Sequence, residues 1–535
     1  MASQNIYNDS EKRKAGVNTY RTYVKALCVR NPSLLNLDNF LTEPRAAHSD
    51  GCRVAALDFR PGIKHPITRT IVHLDNLHTE LDDEASQKVW DDDKDHALQG
   101  RILIIEDLTP DLVELLGSDL EIDPLFFAMH LHTAQRNGMR QQTPEEASLP
   151  SRLLFQSYMN VSYHRAITHE SMTHSGGRLL RDSALDRKLV LLPNTKIGLA
   201  QHCASIIKMK HQNGFWLGEW MPSSSLPLPV LVLHATALIL VDRPISDTYW
   251  TDGRKYQESG KVHLRSQPYM GPYEDFMEPI TFARNLSNAL DDVREGMFRD
   301  LQYYWQRGVP PCFVSEDPSL QSLAYYLLRI TAAEWTKYVS VMHNCIKQYE
   351  YQNDSLPGLE EFDTDLYELQ GWRRRSLHSQ RKVRAVTRQL KSWSELNPTD
   401  KSFLQPLIED YEYICVNIED AGHRLENMLP VVMTMVQIVD ARHSFAETAN
   451  ISRLTVLALI FVPLSFISSL FSMNPTNAPG APYFWVYFAV AIPVTILVFF
   501  IARPPRKDFM RACIWFKARM KEPLLSPNLQ RDQHC

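Results

Sequence analysis

The chain has 535 residues, of which 44% are apolar, 10% aromatic and 22% charged. This length exceeds what one compact core usually accommodates, and the apolar fraction excludes a mostly disordered chain. The 57 basic and 62 acidic residues give a formal charge of −5, which excludes a global basic field for nucleic acid. The mean hydropathy of −0.28 is that of a soluble protein, but it averages over two apolar segments near the end of the chain.

Residues 1–50 are expected to form an N-terminal extension, whose role the sequence leaves open. The opening sequence MASQNIYNDSEKRKAG has no apolar run, so we expect no cleaved secretory signal. The eight cysteines are scattered and include no Cys-x-x-Cys pair, which argues against a zinc ribbon or a thioredoxin-like site. Such a scatter is typical of reduced, structural thiols in a cytosol-facing chain.

Residues 51–280 are predicted to form an α/β domain, because short β-branched runs alternate with helical patterns. Thr109-Pro110 and Asp123-Pro124 are typical of helix starts, with a capping side chain followed by proline. The apolar run Leu226–Val241 competes as a third membrane span, but its two prolines and its histidine favour buried strands. The predicted strands lie at residues 54–59, 68–74, 102–105, 153–155, 189–192 and 230–241.

Residues 281–450 are predicted to form a stalk of three helices. Asp317-Pro318 is typical of a helix start and opens the first helix, which runs to about residue 351. The second helix covers about residues 363–393, and its basic run is expected to be a solvated face. This run comprises Arg373, Arg374, Arg375, Arg381, Lys382 and Arg384.

The third stalk helix carries an apolar seam whose steps alternate between three and four residues, as in a heptad repeat. We expect this seam to pack against the two preceding helices and the helix to continue into a membrane span. A continuous helix from Leu404 to Asn474 would be about 105 Å long. The seam comprises Leu404, Leu407, Tyr411, Ile414, Ile418, Ala421, Leu425, Met428, Val432, Met435 and Val439.

Residues 451–502 are predicted to form a transmembrane hairpin, with spans at Leu454–Phe471 and Tyr483–Ala502. Neither span contains a charged residue, and each covers roughly the thickness of the hydrocarbon core. The alternative, a pair of buried core helices, is hard to reconcile with the eleven-residue connection. The connection has no basic residue, whereas the tail 503–535 is basic, so the positive-inside rule places both termini in the cytoplasm.

The first span carries small and hydroxylated residues along one helical stripe at steps of three and four. The stripe comprises Thr448, Ile451, Thr455, Ala458, Val462, Ser465, Ser469 and Ser472. One interpretation is that the stripe lines a water-filled path. The other is that small residues let membrane helices pack closely.

The segment LTVLALIFVPLSFISSLFSMN resembles the first membrane helix of CorA-type magnesium channels, which ends in a Gly-Met-Asn signature. Met473 and Asn474 match this signature, and Ser472 stands in place of its glycine. The resemblance is specific over residues 441–506. Elsewhere it extends only to the plan of the chain: a cytoplasmic α/β domain, a long helical stalk, two C-terminal transmembrane helices and a basic tail. The divergent N-terminal domain suggests a fungal-type branch.

The resemblance implies a homopentamer with the first spans around a pore and the second spans outside. It places Ser472, Met473 and Asn474 at the pore mouth, where a ring of Asn474 side chains would bind Mg²⁺ through its hydration shell. Serine would be strained at a position that needs positive φ, so the presence of Ser472 puts the backbone geometry of the pore mouth in doubt. The expected pore-lining residues are Thr448, Ile451, Leu454, Thr455, Val462, Ser465 and Ser469.

The resemblance also implies closure by cytosolic Mg²⁺ held between subunits. The candidate carboxylates are Asp82–Glu84, Asp91–Asp95, Glu360, Glu361, Asp363 and Asp365. A solvated acidic loop is the alternative for each. Asp91-x-Asp93-x-Asp95 fails as an EF-hand because His96 occupies the glycine position. We expect structural roles for the remaining histidines: His130, His132, His164, His169 and His174.

The expected function is Mg²⁺ influx through a passive, Mg²⁺-regulated channel of the plasma membrane. Its partners would be hydrated divalent cations, the lipid membrane and further copies of the chain, without nucleic acid. Two alternatives stay open: a transporter of Zn²⁺ or another divalent cation, and a membrane-anchored interaction protein that does not conduct. No catalytic motif or nucleotide fingerprint occurs in the sequence, so we expect neither enzyme activity nor a resident cofactor.

Overall fold

The chain divides into two compact units, Met1–Val432 and Met433–Cys535. The computed structural model describes residues 19–42, 52–60, 65–71, 77, 100–131, 149, 156–170, 177–185, 187–209, 235–251, 260–271, 275–277, 295–315, 317–352, 359–396, 400–473 and 483–502. In these residues a sheet domain is followed by long helices and a short apolar helix. The predicted fold class, an α/β domain with a helical stalk and apolar C-terminal helices, is confirmed.

The first unit is built on one eleven-stranded sheet of strands β1 to β11. The order is β10-β9-β5-β6-β7-β8-β3-β1-β2. Outside this linear order, β4 pairs with both β7 and β11. Every pairing is antiparallel except that of β3 with β8. The strands are Arg53–Phe59, Ile67–Ile71, Gly100–Glu106, Tyr158–His169, Gly177–Arg181, Lys188–Leu191, Ile197–Met209, Ala235–Val241, Thr248–Thr251, Lys261–His263 and Ser266–Pro268.

Four short helices cover one face of this sheet and share an apolar core with it. Both predicted helix starts are confirmed: Thr109 Oγ1 accepts the Leu112 N–H at 3.4 Å, and Asp123 Oδ1 accepts the Leu125 N–H at 2.9 Å. Such caps satisfy backbone donors that a helix leaves free at its start. The helices are Tyr20–Cys28 (α1), Leu35–Thr42 (α2), Pro110–Asp119 (α3) and Pro124–His130 (α4).

The longest strands, β4 and β7, are absent from the sequence prediction. Their sequences mix polar and apolar residues because several polar side chains are buried between the sheet and the helices. Arg165 of β4, for example, is 2% exposed and donates from Nη2 to Asp300 Oδ2 at 2.9 Å. A buried ion pair thus conceals the alternation that identifies a half-buried strand.

The apolar run Leu226–Val241 contains strand β8, which begins at Ala235 and lies centrally between β7 and β3. This agrees with the prediction of a buried strand. Residues 226–234 lie outside the described part of the chain, as does the strand expected at 153–155.

Helices α5 to α8 follow the sheet: Met297–Arg307, Leu320–Gln352, Leu359–Leu396 and Lys401–Ser472. The predicted start of α6 at Asp317-Pro318 is wrong by two residues. Ser319 caps the helix instead, because its Oγ accepts the Ser322 N–H at 3.1 Å. The Asp317 carboxylate turns to the sheet, where Lys208 Nζ lies 2.9 Å from Oδ1.

The seam of α8 packs as predicted in the first unit. Its buried positions are Leu404, Leu407, Tyr411, Ile414, Ile418, Ala421, Leu425 and Val432. Tyr411 also donates to the Leu328 carbonyl of α6 at 2.9 Å. The helix then continues without interruption to Ser472, so one continuous helix through the first predicted span is confirmed.

Helix α7 runs antiparallel to α8, and a ladder of ion pairs joins them. Arg373 pairs with Glu426 at 3.5 Å, Arg384 with Glu419 at 3.1 Å and Lys391 with Glu412 at 2.6 Å. Part of the basic run is therefore paired, although the sequence predicted a solvated face.

The second unit contains the end of α8 and helix α9, Trp485–Ala502. Within the described residues, α8 is the one helix long and apolar enough to cross a membrane by length and composition. Only 6% of its apolar window is buried, whereas the core helix of a soluble protein is mostly buried. The apolar part of α9 is described over the shorter range Trp485–Phe499.

Candidate ion-conduction site

The predicted pore-lining residues lie on one face of α8. At 100° per residue they occupy an arc of about 120° on the helical wheel. All seven side chains are exposed: Thr448, Ile451, Leu454, Thr455, Val462, Ser465 and Ser469. Leu454 is 71% exposed and Val462 is 66% exposed. A stripe this open in a single chain is available to line a path or to pack against other copies.

The opposite face of the same segment is the covered one. The side chains that are buried or half-buried are Ser452, Val456, Leu459, Pro463, Leu464, Ile467 and Phe471. They centre roughly 140° around the helix from the stripe. Ile467 is only 5% exposed, and the Phe471 ring meets the Tyr487 ring of α9 at 6.0 Å. Helix α9 therefore packs on the side of α8 that faces away from the stripe.

Two threonine hydroxyls on the stripe donate hydrogen bonds to backbone carbonyls of α8 itself. Thr448 Oγ1 donates to the Ser444 carbonyl at 2.7 Å, and Thr455 Oγ1 donates to the Ile451 carbonyl at 2.8 Å. Each hydroxyl oxygen keeps its lone pairs and can accept hydrogen bonds from the water around an ion. Threonine can thus line a wet path without leaving its own donor unsatisfied in the membrane.

The signature lies at the end of α8. Ser472 is the last residue of the helix, and Met473 is 83% exposed beyond it. Asn474 and the rest of the connection, residues 474–482, lie outside the described residues. Among the described residues, non-glycine positions with positive φ are Asp107, Glu121 and Asn194. Ser472 is not among them, so the strain expected from replacing glycine is absent at this position.

Two carboxylates on the same face were missed at the sequence level. Asp440 and Glu447 are exposed and fall within the arc of the stripe; Glu447 directly precedes Thr448, and Asp440 lies about two turns before it. The basic residues Arg442 and Arg453 fall on the opposite face. The signal that identifies this segregation in the sequence is helical phase, which applies to the charged residues before the span as it does to the span itself.

The structure does not describe the side chains of the candidate regulatory carboxylates. Asp82–Glu84 and Asp91–Asp95 lie outside the described residues, and the side chains of Glu360, Glu361, Asp363 and Asp365 do too. In the part of the chain that the structure describes, no group of three or more His, Cys, Asp or Glu side chains could hold a metal ion.

Two histidines that the sequence assigned to structure are packed in the first unit. His130 is fully buried at the end of α4, with Nδ1 2.8 Å from Ser205 Oγ. The His164 ring stacks on the Tyr338 ring at 5.3 Å. Burial lowers the pKa of both imidazoles, so both are neutral. His132 and His174 lie outside the described residues.

A family comparison covers the stalk and the membrane segment together. Residues 313–503 match the model of a family described as CorA-like Mg²⁺ transporter protein. The chain contains a CorA-like domain. The match runs from before α6 to the end of α9, so the exposed stripe and the signature both fall inside the CorA-like domain. The resemblance drawn from the signature is confirmed for residues 313–503, and this CorA-like domain contains the candidate transmembrane helix.

Two solved structures are similar to the chain at low identity. One is the CorA magnesium transporter from Methanocaldococcus jannaschii, with 11% identity, 84% of this chain and 98% of that chain covered, and a TM-score of 0.37. The other is the full-length CmaX protein, with 13% identity, 85% and 98% covered, and a TM-score of 0.32. No curated protein matches the chain.

Proposed function

We propose that the chain is one subunit of a homopentameric channel that conducts Mg²⁺ into the cytoplasm. The observation that carries this proposal is the exposed stripe of α8, because helix α9 covers the opposite face and leaves the stripe open. A ring of such helices would bring the stripes together around a common axis. The CorA-like domain supports divalent cations as the cargo.

The chemistry of the stripe suits an ion that keeps its water. Mg²⁺ loses its hydration shell reluctantly, so a pore for Mg²⁺ must bind the shell. The Asn474 carbonyl oxygens at the mouth, and Ser465 and Ser469 below them, can accept hydrogen bonds from that shell. A ring without charge binds weakly enough for the ion to leave, as conduction requires.

Apolar side chains would provide the gate. Val462, Leu454 and Ile451 lie on the same stripe, and rings of them would form constrictions that stop ions by losing water. Closure when cytosolic Mg²⁺ rises belongs to the same proposal.

Asp440 and Glu447 extend the proposed path on the side away from Asn474. Rings of these carboxylates would concentrate cations at that end by electrostatic attraction. The connection between the spans carries no acidic residue, so the attraction would act only at the end of the path where Asp440 and Glu447 lie. The basic tail favours a cytoplasmic position for this side, with both termini there, and we propose the plasma membrane as the location.

The test is Mg²⁺ uptake in cells that lack their own Mg²⁺ transporters, with surface expression measured in parallel. Asn474→Ala should abolish uptake, whereas Asn477→Ala, in the same connection, should leave uptake unchanged. Absence of uptake by the unmodified protein at the cell surface would contradict conduction and favour the interaction-protein alternative. Flux of Mg²⁺ and Zn²⁺ into vesicles containing the purified protein decides between the two cations, and a monomer mass in detergent would contradict the pentamer.

A further inference from the structure

His443 and Glu447 form a pair on the part of α8 that precedes the first span. Residues 440–451 of this helix are all exposed. The two side chains are one helical turn apart, and His443 Nδ1 lies 3.5 Å from Glu447 Oε1. On the helical wheel Glu447 falls within the arc of the stripe, and His443 lies about 20° outside it. The pair therefore lies beside the proposed path.

The distance between the two atoms fits a shared metal ion better than a hydrogen bond. Hydrogen bonds from N–H to oxygen span about 2.7 to 3.2 Å between heavy atoms, and 3.5 Å lies outside that range. Zinc lies roughly 2.0–2.1 Å from an imidazole nitrogen and 2.0–2.2 Å from a carboxylate oxygen, so tetrahedral angles place two such donors about 3.4 Å apart. The pair is thus spaced as two donors to one tetrahedral ion.

The donor types distinguish this ion from the proposed cargo. Imidazole nitrogen suits Zn²⁺, Ni²⁺ and Cu²⁺, whereas Mg²⁺ prefers oxygen donors in an octahedral arrangement and keeps several waters. A site with a histidine donor therefore favours a transition-metal ion even when Mg²⁺ is in excess. Asp440, which falls within the same arc, adds negative charge that favours a cation near the pair.

A second histidine–glutamate pair on α8 lacks this property. His423 Nδ1 lies 3.7 Å from Glu426 Oε2, but the Glu426 carboxylate also pairs with Arg373 of α7 at 3.5 Å. A guanidinium beside the carboxylate repels a metal ion and competes for its oxygens. By contrast, His443 is the only ion-pair partner of Glu447 among the described residues. The two pairs on one helix therefore provide a matched comparison.

Two donors from one chain leave positions around the ion open. In the part of the chain that the structure describes, no group of three or more His, Cys, Asp or Glu side chains could hold a metal ion. Water or further copies of the chain must therefore supply the remaining donors. In the proposed homopentamer, five copies would turn this face to a common axis and bring carboxylates of Asp440 and Glu447 from neighbouring copies around the ion.

We propose that His443 and Glu447 bind a transition-metal ion of the Zn²⁺ type at the end of the path away from Asn474, and that the bound ion blocks Mg²⁺ flux. An ion held there occupies the path and adds positive charge, which repels Mg²⁺. The block rests on the proposed channel, whereas the binding requires no conduction. The two parts are therefore tested separately.

Equilibrium dialysis of the purified full chain in detergent, with Zn²⁺ and an excess of Mg²⁺, tests the binding. His443→Gln should weaken one Zn²⁺ site by at least about tenfold, because even the outer partners of metal ligands change affinity by about ten- to hundredfold. His443 is 64% exposed, so the substitution leaves the packing of the protein intact. His423→Gln is the control and should retain the isotherm of the unmodified protein. Equal isotherms for all three proteins overturn the proposal.

Glu447→His separates coordination from simple charge attraction. Two histidines four residues apart on one helix face have a zinc-binding spacing, so this variant should bind Zn²⁺ at least as tightly as the unmodified protein. A surface that only attracts cations would lose affinity, because the substitution removes a negative charge. Weaker binding by Glu447→His therefore overturns coordination by the pair.

Mg²⁺ flux into vesicles, with Zn²⁺ added on the side where α8 begins, tests the block. The Zn²⁺ concentration that halves the flux should rise at least about tenfold in His443→Gln and stay unchanged in His423→Gln. The same half-blocking concentration in His443→Gln and the unmodified protein overturns the block. Absence of Mg²⁺ flux from the unmodified protein contradicts the proposed channel, and dialysis then decides the metal site independently.

Discussion

Arg187 and Asp242 form a fully buried bidentate ion pair in the sheet domain. Arg187 Nε lies 2.8 Å from Asp242 Oδ2, Nη2 lies 3.0 Å from Oδ1, and both side chains are at most 2% exposed. The Cys203 N–H donates to the same carboxylate at 2.7 Å, and Arg187 Nη2 donates to the His130 carbonyl at 2.7 Å. The pair thus ties β8 and β7 to the end of α4.

We expect Arg187→Met to lower the free energy of unfolding of the first unit by about 3–5 kcal/mol. The substitution keeps the volume but leaves the Asp242 charge buried without its partner. The control is Arg265→Met, which removes an exposed partner of Glu170 at 3.4 Å and should cost at most about 1 kcal/mol. Denaturant unfolding of the purified protein measures both, and equal losses would show that burial of the pair contributes nothing.

The sheet domain should lose stability as the pH falls from about 6.5 to about 3. The pKa of His130 is lowered to about 3, mainly by burial; the nearby Asp242 charge opposes this shift and the Arg187 charge adds to it. The unfolded chain binds a proton near pH 6.5 and the folded chain does not, so the stability present above that pH is lost as the pH falls. Burial lowers the pKa of His202 and His164 in the same direction.

Other buried groups oppose this trend, so the His130 contribution requires a comparison. Burial raises the pKa of the Glu106 and Asp107 carboxyls, and these groups favour the folded state at low pH. The variant His130→Asn retains a polar group near Ser205 without titrating. Its unfolding free energy should depend less on pH between 6.5 and 4 than that of the unmodified protein, and parallel curves would contradict the assignment.

Truncating a side chain of α8 should lower the stability of the protein on the buried face that carries the seam, but not on the exposed face. Ile418 is fully buried, so Ile418→Ala should cost about 2–5 kcal/mol because the cavity is not refilled. Val416, two residues earlier, is 63% exposed, and Val416→Ala should change stability by at most about 0.5 kcal/mol. Thermal unfolding of the two variants provides the measurement. Similar losses would indicate that α8 packs with a different face.

The carboxylates before the span should control the cation flux at low salt. We expect the double variant Asp440→Asn and Glu447→Gln to reduce Mg²⁺ flux into vesicles by roughly two- to tenfold, because the local cation concentration falls. The difference should shrink as salt is added. Arg442→Gln, on the opposite face, is the matched control and should leave the flux unreduced. A double variant with normal flux at low salt would place these carboxylates outside the path.

The serine in the signature should be replaceable by glycine. Ser472 ends α8 without positive φ, so Ser472→Gly relieves no strain and costs at most about 1 kcal/mol of helix stability. Mg²⁺ uptake should therefore stay within about twofold of the unmodified protein, with equal amounts at the cell surface. A large gain in uptake would mean that serine hinders conduction at the mouth.

Predictions from the sequence succeeded where a local rule was sufficient. The caps at Thr109 and Asp123 follow from one side chain and the next few residues, and the seam of α8 follows from a regular apolar spacing. The start of α6 was misplaced because Asp317-Pro318 has the same local features as a cap, while the pairing of Asp317 with Lys208 depends on a strand more than a hundred residues away.

The sequence by itself determined which features of α8 contact lipid or water. They are the uncharged end of the helix, its stripe of small and hydroxylated residues, and the signature that follows. These are properties of one helix, and helical phase is fixed by sequence. Only the tertiary structure decided which polar groups are buried in pairs, such as Arg187 with Asp242. It alone also showed that α7 pairs part of its basic run with glutamates of α8, because partners distant in sequence meet only in the folded chain.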